Sequence, residues 1–344
     1  MKTDSAWKAI STWFGGGSII WTLLGLALLL LVDAVWVKDF FTLEWRDGHL
    51  YGTPVDILHQ GSKVMLLALG MTLVIATGGV DLSVGSLMAV AGAIAAWALT
   101  AGGMSAASAL PLALLVTTLI GSLSGLLVAV LGVQPIVATL VVMVAGRGIA
   151  MLVTGGQILT LQDPTLRFIG GGYFLGLPFT VTLVVALLAL TLFLTRRTAF
   201  GLFIEATGDN ETASRFCGVP VRLVKVLVYA FSGFCAALAG IVATGNIHAA
   251  DSARVGEMME LDAIFAVVVG GTALTGGRFH LLGSLLGALL IQTLTTTMYN
   301  LGVPPTVAPV PKAVVIVLVC LLQSPVFQAR LRTWKKAKTP EVTA

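Results

Sequence analysis

Charge is scarce in this sequence. Only 10% of its 344 residues are Asp, Glu, Lys or Arg, whereas 57% are hydrophobic and the mean hydropathy is +0.98. A soluble domain has about 25% charged residues, and a chain with so few has too little polar surface to cover itself in water. The composition excludes a water-soluble globular protein and predicts an all-α polytopic membrane protein, because helices satisfy their own backbone hydrogen bonds in lipid. The formal net charge of +4 is then no evidence for a nucleic-acid partner, since basic residues in such proteins set orientation.

Motifs for metal, nucleotide or catalytic sites are also missing. The three cysteines, Cys217, Cys235 and Cys320, are widely separated and indicate neither a disulfide framework nor a metal site. The histidines have no HExxH spacing, and no GxxxxGK[ST] phosphate-binding loop occurs. The stretch Gly121–Gly125 reads GSLSG, with Leu123 where the hydrolase pattern GxSxG has serine, and it lies inside an apolar run, outside the strand–turn–helix context that a hydrolase needs. We therefore expect a transport protein and not an enzyme, with no cofactor bound by this chain and any nucleotide bound by a separate subunit.

Long apolar runs dominate the chain instead. A helix that crosses the hydrocarbon needs about 20 apolar residues, and the sequence contains about ten such stretches. The eighth is short and flanked by glycine, which is typical of a broken or partly inserted helix. The predicted spans are residues 18–37, 57–77, 84–101, 109–131, 135–153, 178–195, 224–244, 261–275, 281–300 and 307–323.

Basic residues set the predicted orientation, because cytoplasmic segments carry an excess of Lys and Arg. With both termini cytoplasmic, the predicted domains are an N-terminal segment 1–17, a transmembrane domain 18–323 and a cytoplasmic tail 324–344. Basic residues then fall mainly on the inside. Inside lie Lys2, Lys8, Arg196, Arg197, Arg215, Arg222, Lys225, Arg278, Arg330, Arg332, Lys335, Lys336 and Lys338, and outside lie Lys38, Arg46, Arg167 and Arg254.

Two glycine-containing segments are similar to each other. Gly78–Leu87 and Gly276–Leu285 both read GG, five residues, then GSL, and both lie at the cytoplasmic end of a span that runs outward in the predicted topology. A parallel structural repeat, as found in many transporters, explains the similarity. Chance matching in a glycine-rich sequence explains it too.

Polar residues in or beside the apolar runs are candidates for a translocation path, since burying them in a membrane is costly. Other roles fit some of them. Asp81 also fits a helix cap, the threonines also fit bonds to their own helix carbonyls, and Arg147 has room between two glycines to reach a polar centre or the interface. The candidate path residues are Asp81, Gln134, Thr139, Arg147, Gln292 and Thr296.

One polar segment, residues 196–225, interrupts the apolar runs. It contains five basic and three acidic residues, so it cannot cross hydrocarbon, and its basic excess places it in the cytoplasm. Asn210 and Gly218 fit the start and the end of a short helix over about 210–216. Such a helix, held between two spans, either transmits force from a docked partner or is a surface helix within a linker.

This segment resembles the coupling loop of bacterial ABC-type monosaccharide importer permeases of the ribose, xylose and galactose group. The similarity lies in Gly208-x-Asn210-x-x-Ala213-Ser214 followed by Gly218-Val219, with Ser214 where a second alanine is usual. Two further stretches are similar, GMTLVIATGGVDLSVG at 70–85 and VVGGTALTGG at 268–277. The stretches 48–57, 135–148 and 261–278 are most similar to the galactofuranose permease.

The resemblance implies a multi-pass permease of the bacterial inner membrane that transports a monosaccharide, either galactofuranose or a similar pentose or hexose. It implies three partners: an ABC ATP-binding subunit that uses ATP and Mg²⁺ and docks at about 196–223, a periplasmic sugar-binding protein, and a second permease chain, identical or related. The coupling residues would be Glu205, Gly208, Asn210, Ala213, Ser214 and Gly218. The alternative is a secondary transporter or channel without an ATPase, which predicts transport by this chain alone.

Overall fold

The structure is a computed structural model that describes residues 18–37, 39–46 and 48–323. Helices make up most of it, and seven of them (α1, α2, α4, α5, α7, α10 and α12) are long and apolar enough to cross a membrane. In chain order the helices are α1 (Ser18–Trp36), α2 (Thr53–Ala76), α3 (Val84–Thr100), α4 (Ala106–Ala129), α5 (Pro135–Thr154), α6 (Pro164–Gly171), α7 (Phe179–Arg197), α8 (Ala199–Asp209), α9 (Glu211–Phe216), α10 (Val221–Ile247), α11 (Met259–Val269), α12 (Leu281–Asn300) and α13 (Pro309–Gln323).

Each predicted span overlaps one of these helices. The bounds differ most at the eighth, where the prediction was 261–275 and α11 ends at Val269. The helix stops there because Gly270 and Gly271 follow, and Gly271 has a φ of +93° that favours glycine. With 11 residues, α11 is about 16 Å long, about half of the hydrocarbon thickness. The number of crossings and the cytoplasmic termini stay predictions, and segments 1–17 and 324–344 lie outside the described residues.

Three short antiparallel strand pairs lie in the loops that the charge pattern places outside. They are β1 (Glu44–Arg46) with β2 (His49–Tyr51), β3 (Leu159–Thr160) with β6 (Ala249–Ala250), and β4 (Tyr173–Phe174) with β5 (Leu177–Pro178). The first and third pairs touch each other, since the Leu50 amide donates to the Gly176 carbonyl at 3.0 Å and His49 stacks on Tyr173. The outside loops therefore form one connected layer.

Helix α2 lies at the centre of the protein, and nearly all of its residues from 64 to 76 are buried. Small residues let its neighbours approach one another. A Cβ added to Gly121 of α4 would lie 2.8 Å from the Cα of Gly233 in α10, and one added to Gly287 of α12 would overlap the Ala266 carbonyl of α11. Both GxxxG patterns, Gly121–Gly125 and Gly283–Gly287, therefore serve close helix packing.

Candidate functional site

The polar segment between α7 and α10 folds into two short helices, α8 and α9. Asn210 caps α9, since its side-chain oxygen accepts a hydrogen bond from the Ala213 amide at 2.9 Å. Gly218 follows α9 with a φ of +82°, a conformation that suits glycine. The predicted helix over about 210–216 is confirmed. Helix α8 was not predicted, because its residues AFGLFIEATGD are too apolar for a surface helix and too few for a span.

Helix α9 is attached on both sides. The Ser214 hydroxyl donates to the Ala206 carbonyl of α8 at 2.7 Å. Glu211 pairs with Lys225 of α10 at 2.6 Å and with Arg215 one turn along α9. The serine that replaces the usual alanine therefore adds a bond that alanine cannot make. As a result α9 is held to α8 and to α10 by separate side chains.

The ion pairs of Glu211 predict how this segment responds to pH. Burial acts to raise the pKa of Glu211, but the hydrogen bond and charge of Lys225 and the charge of Arg215 outweigh it and hold the pKa below its ordinary 4.5. The stabilisation is then complete above the ordinary value and is lost as the pH falls through the lower, folded value. We expect the rate of limited proteolysis within 209–222 to be constant from about pH 8 to 5.5 and to rise only in stronger acid.

Glu211→Gln keeps the shape of the side chain and removes its charge. Because the pair is partly exposed, we expect a modest loss of about 0.5–1 kcal/mol of local stability, seen as faster cleavage at neutral pH. Glu257→Gln, in an outside loop, is the matched control. Equal cleavage of Glu211→Gln and the unmodified protein would show that the pairs do not hold α9.

Three glycine-containing segments meet next to α8. A Cβ on Gly208 would overlap the Ala76 carbonyl at the end of α2 and the amide of Gly277. That amide donates to the same Ala76 carbonyl at 2.9 Å. A Cβ on Gly276 would lie 2.9 Å from the Gly78 amide and 3.0 Å from the Gly208 carbonyl. The two similar segments of the sequence therefore lie side by side against Gly208, although a structural repeat stays a prediction. We call this contact the glycine junction.

Apolar side chains are exposed beside the junction. Phe216 at the end of α9 is 88% exposed, and Leu202 of α8 and Leu223 of α10 are also exposed. Between α8 and the loop before α12 lies an open cleft of about 630 Å³, lined by Glu205 and His280 among others. Burial and the charge of Arg196 lower the pKa of His280, so its ring is neutral at pH 7. The segment thus exposes apolar side chains, of which Leu202 lines the polar cleft.

Among the six predicted path residues, Asp81 and Thr139 lie close together, since the Thr139 hydroxyl is 3.4 Å from the Val80 carbonyl, whereas Gln134 and Arg147 have separate surroundings. Gln134 is exposed at the start of α5. The Thr139 hydroxyl donates to the Pro135 carbonyl of its own helix at 2.9 Å. Asp81 is fully buried and accepts hydrogen bonds from the amide and hydroxyl of Ser83 and from the Ser232 hydroxyl of α10. It does not occupy the cap position of α3, which is Ser83.

Arg147 connects α5 to an outside loop. Its guanidinium donates to the backbone carbonyls of Ser252 and Val255, both at 2.8 Å. This contact gives the side chain a tethering role, and its reach to a polar centre or to the membrane interface stays a prediction. Beside this arginine, Gly146 lets α5 approach α3 closely, because a Cβ at position 146 would lie 2.8 Å from the Ser86 hydroxyl.

The remaining two path candidates lie together. Gln292 and Thr296, one turn apart on α12, line a cavity of about 790 Å³ between α2, the start of α11, α12 and α13. Other polar side chains of the cavity, Lys63 above all, were not predicted. In the sequence Lys63 stands alone within an apolar run, and only the fold shows what it faces.

The chain matches a known protein family. A family model described as branched-chain amino acid transport system / permease component matches residues 53–322. The chain belongs to this family of permeases. With its apolar helices, this makes it a multi-pass protein of the bacterial inner membrane.

Individual relatives of the permease carry sugar names. It is 50% identical over 305 residues to the galactofuranose transporter permease protein YtfT of Escherichia coli (strain K12), which covers 89% of each chain. It is 40% identical to the fructose import permease protein FruF of Bifidobacterium longum, over 90% of this chain and 88% of that one. It is 36% identical to the ribose import permease protein RbsC of Escherichia coli (strain K12), over 88% and 92%. No solved structure matches the permease. The resemblance to monosaccharide permeases is confirmed.

Proposed function

We propose that the permease is the membrane subunit of an ATP-driven importer for a monosaccharide, and that galactofuranose is its substrate. The observation that carries this proposal is the 50% identity to the galactofuranose permease across 89% of both chains. The family description names amino acids, but the three relatives above are named for sugars. Identity to the galactofuranose permease exceeds identity to the fructose and ribose permeases, which favours galactofuranose among these sugars.

The α8–α9 segment is the docking site for an ATP-binding subunit in this proposal. ATP and Mg²⁺ act in that subunit, and the permease itself makes or breaks no bond. An approaching subunit meets the exposed Phe216 first and moves α9. Because Ser214 joins α9 to α8 and Glu211 joins it to α10, both helices follow. The glycine junction then passes the displacement to the end of α2 and to the loop before α12.

Two further partners complete the importer. A periplasmic sugar-binding protein delivers the sugar to the outside layer, where the β3–β6 pair and the contact between the two hairpins connect loops that are distant in the sequence. A second permease chain, identical or related, forms the other half of the membrane core. Sugar passes between these halves when the spans move.

Reconstitution tests the proposal. The purified permease is placed in liposomes with candidate ATP-binding and sugar-binding proteins encoded beside it, and uptake of radiolabelled galactose, ribose and fructose is measured. Galactose in solution contains a furanose fraction. We expect uptake against a gradient only when all components and ATP are present, with furanose galactose preferred. Uphill uptake by the permease alone would establish the secondary transporter instead.

A further inference from the structure

The cavity between α2, α11, α12 and α13 combines polar groups from two helices that are long enough to span the membrane. On α12, Gln292, Thr296 and Asn300 follow one another at intervals of four residues, so they lie on one face of the helix. On α2, Gln60 and Lys63 lie on the facing side. Together the two polar faces line an open cleft of about 790 Å³ at the surface of the described part of the chain.

Gly61 brings the two helices together at this point. A Cβ at position 61 would lie 3.2 Å from the Cβ and Cγ of Gln292, tighter than ordinary van der Waals contact. The glycine therefore lets α12 approach α2 directly beside Lys63. This close contact between α2 and α12 places their polar side chains beside each other and limits the width of the cleft.

Lys63 is the least expected member of the cavity. It lies ten residues into α2, about 15 Å along the helix axis from its start, and is half-buried. Its amine donates to Gln60 at 2.7 Å, and no carboxylate of the described residues lies within 4 Å of it. A charge at this depth is costly in contact with lipid, so the amine must face water or a polar ligand.

An ion pair stabilises one wall of the cavity. Lys312 of α13 pairs with Asp262 of α11 at 3.0 Å, and both side chains are mostly buried. The pair joins the two shorter helices along one wall. Asp56 and Glu257 lie at the cavity as well, so its charge is mixed and does not select for a strongly charged ligand.

The groups in the cavity match the chemistry of a monosaccharide. Sugar hydroxyls both donate and accept hydrogen bonds, and the Lys63 amine, the Gln292 amide and the Thr296 hydroxyl supply donors and acceptors for them. The ring of Tyr299, which is 49% exposed, offers an aromatic surface for the C–H face of the sugar. The volume lies in the range of small-ligand clefts, about 300–1,000 Å³.

We propose that this cavity is a contact site for monosaccharide hydroxyl groups on the translocation path, with Lys63, Gln292 and Thr296 as the hydrogen-bonding groups and Tyr299 as the stacking surface. The proposal rests on the proposed function, because a sugar must pass through the permease for such a site to act. It places on the translocation path two residues, Lys63 and Tyr299, that their residue type alone did not identify.

Transport kinetics supply the first test. In the complete reconstituted importer we expect Thr296→Val and Lys63→Met each to lower the maximal rate of galactose uptake by about tenfold, with little change in KM, because the sugar-binding protein sets KM. The matched control Thr118→Val removes a hydroxyl that bonds its own helix carbonyl in α4, away from the cavity, and should keep the rate within about twofold. Unchanged uptake by both cavity variants would overturn the proposal.

Thiol labelling supplies a second test that does not depend on uptake. In a Cys217→Ser background, which removes an exposed native thiol, T296C should react with a membrane-impermeant, charged thiol reagent added from outside. V144C, whose position on α5 is exposed on an apolar face, should not react. Galactose should slow the labelling of T296C at least about threefold in the complete complex.

The two tests separate the cavity from the proposed function. If the unmodified importer takes up none of the three sugars, the proposed function fails, and labelling of T296C in the presence of galactose decides the cavity alone. Labelling no faster than that of V144C, or labelling that galactose, ribose and fructose all leave unchanged, would overturn the contact site.

Discussion

Gly208→Val should strongly lower ATP-driven sugar uptake while the permease remains inserted in the membrane. Any side chain at position 208 overlaps the Ala76 carbonyl and the Gly277 amide, which are backbone groups that cannot rotate away. The glycine junction must then open, at a cost of about 1–3 kcal/mol. Each 1.4 kcal/mol is a factor of ten in an equilibrium, so we expect uptake to fall by about ten- to a hundredfold.

The measurement is galactose uptake and ATP hydrolysis in the same proteoliposomes. Hydrolysis should persist without uptake, since the docking surface of α9 is unchanged. Gly148→Val is the matched control, because a Cβ at Gly148 meets no atom within 4 Å. Wild-type uptake by Gly208→Val, or by a double Gly208→Val and Gly218→Val variant, would refute the coupling role of the junction.

Phe216→Ala should weaken the binding of the ATP-binding subunit by about 30-fold. Phe216 is 88% exposed in a segment that also carries many charges. Truncating a central aromatic residue of an interface costs about 2 kcal/mol or more, which corresponds to that change in Kd. Binding of the purified ATP-binding subunit to the permease in detergent gives the value directly.

Phe193→Ala is the control for this second prediction. Phe193 lies on α7 within an apolar span and is 59% exposed, so its truncation removes a similar area from a surface that faces lipid. Binding should be unchanged. Equal loss in both variants would mean that detergent contacts and not docking produced the effect, and no loss at Phe216 would remove α9 from the interface.

Much of the helical framework follows from local composition. Apolar runs predict spans because lipid demands them, and Asn210 and Gly218 predict the ends of α9 because capping depends on neighbouring residues only. Even the shortness of α11 is visible, since glycines follow its apolar run. These features need no knowledge of distant parts of the chain.

Contacts between distant residues were not predictable in the same way. Gly208 contacts Gly277 and also Ala76, which lies more than a hundred residues earlier in the sequence. No local sequence pattern predicts these contacts. Residue type also does not show what a polar side chain faces. Asp81 and Gln292 are both polar groups beside apolar runs, yet Asp81 is enclosed by two serines whereas Gln292 faces a cavity. Only the packing of helices separates the two cases.

The attachment of α9 to both α8 and α10 affects the direction in which a bound partner can move it. A part that merely rests against the membrane body can be pushed but not drawn back. Because Ser214 holds α9 to α8 and Glu211 holds it to α10, an ATP-binding subunit that binds Phe216 can also pull these helices. In the proposed importer, the return stroke, like the forward one, would then be driven by the ATP-binding subunit instead of waiting for elastic recoil.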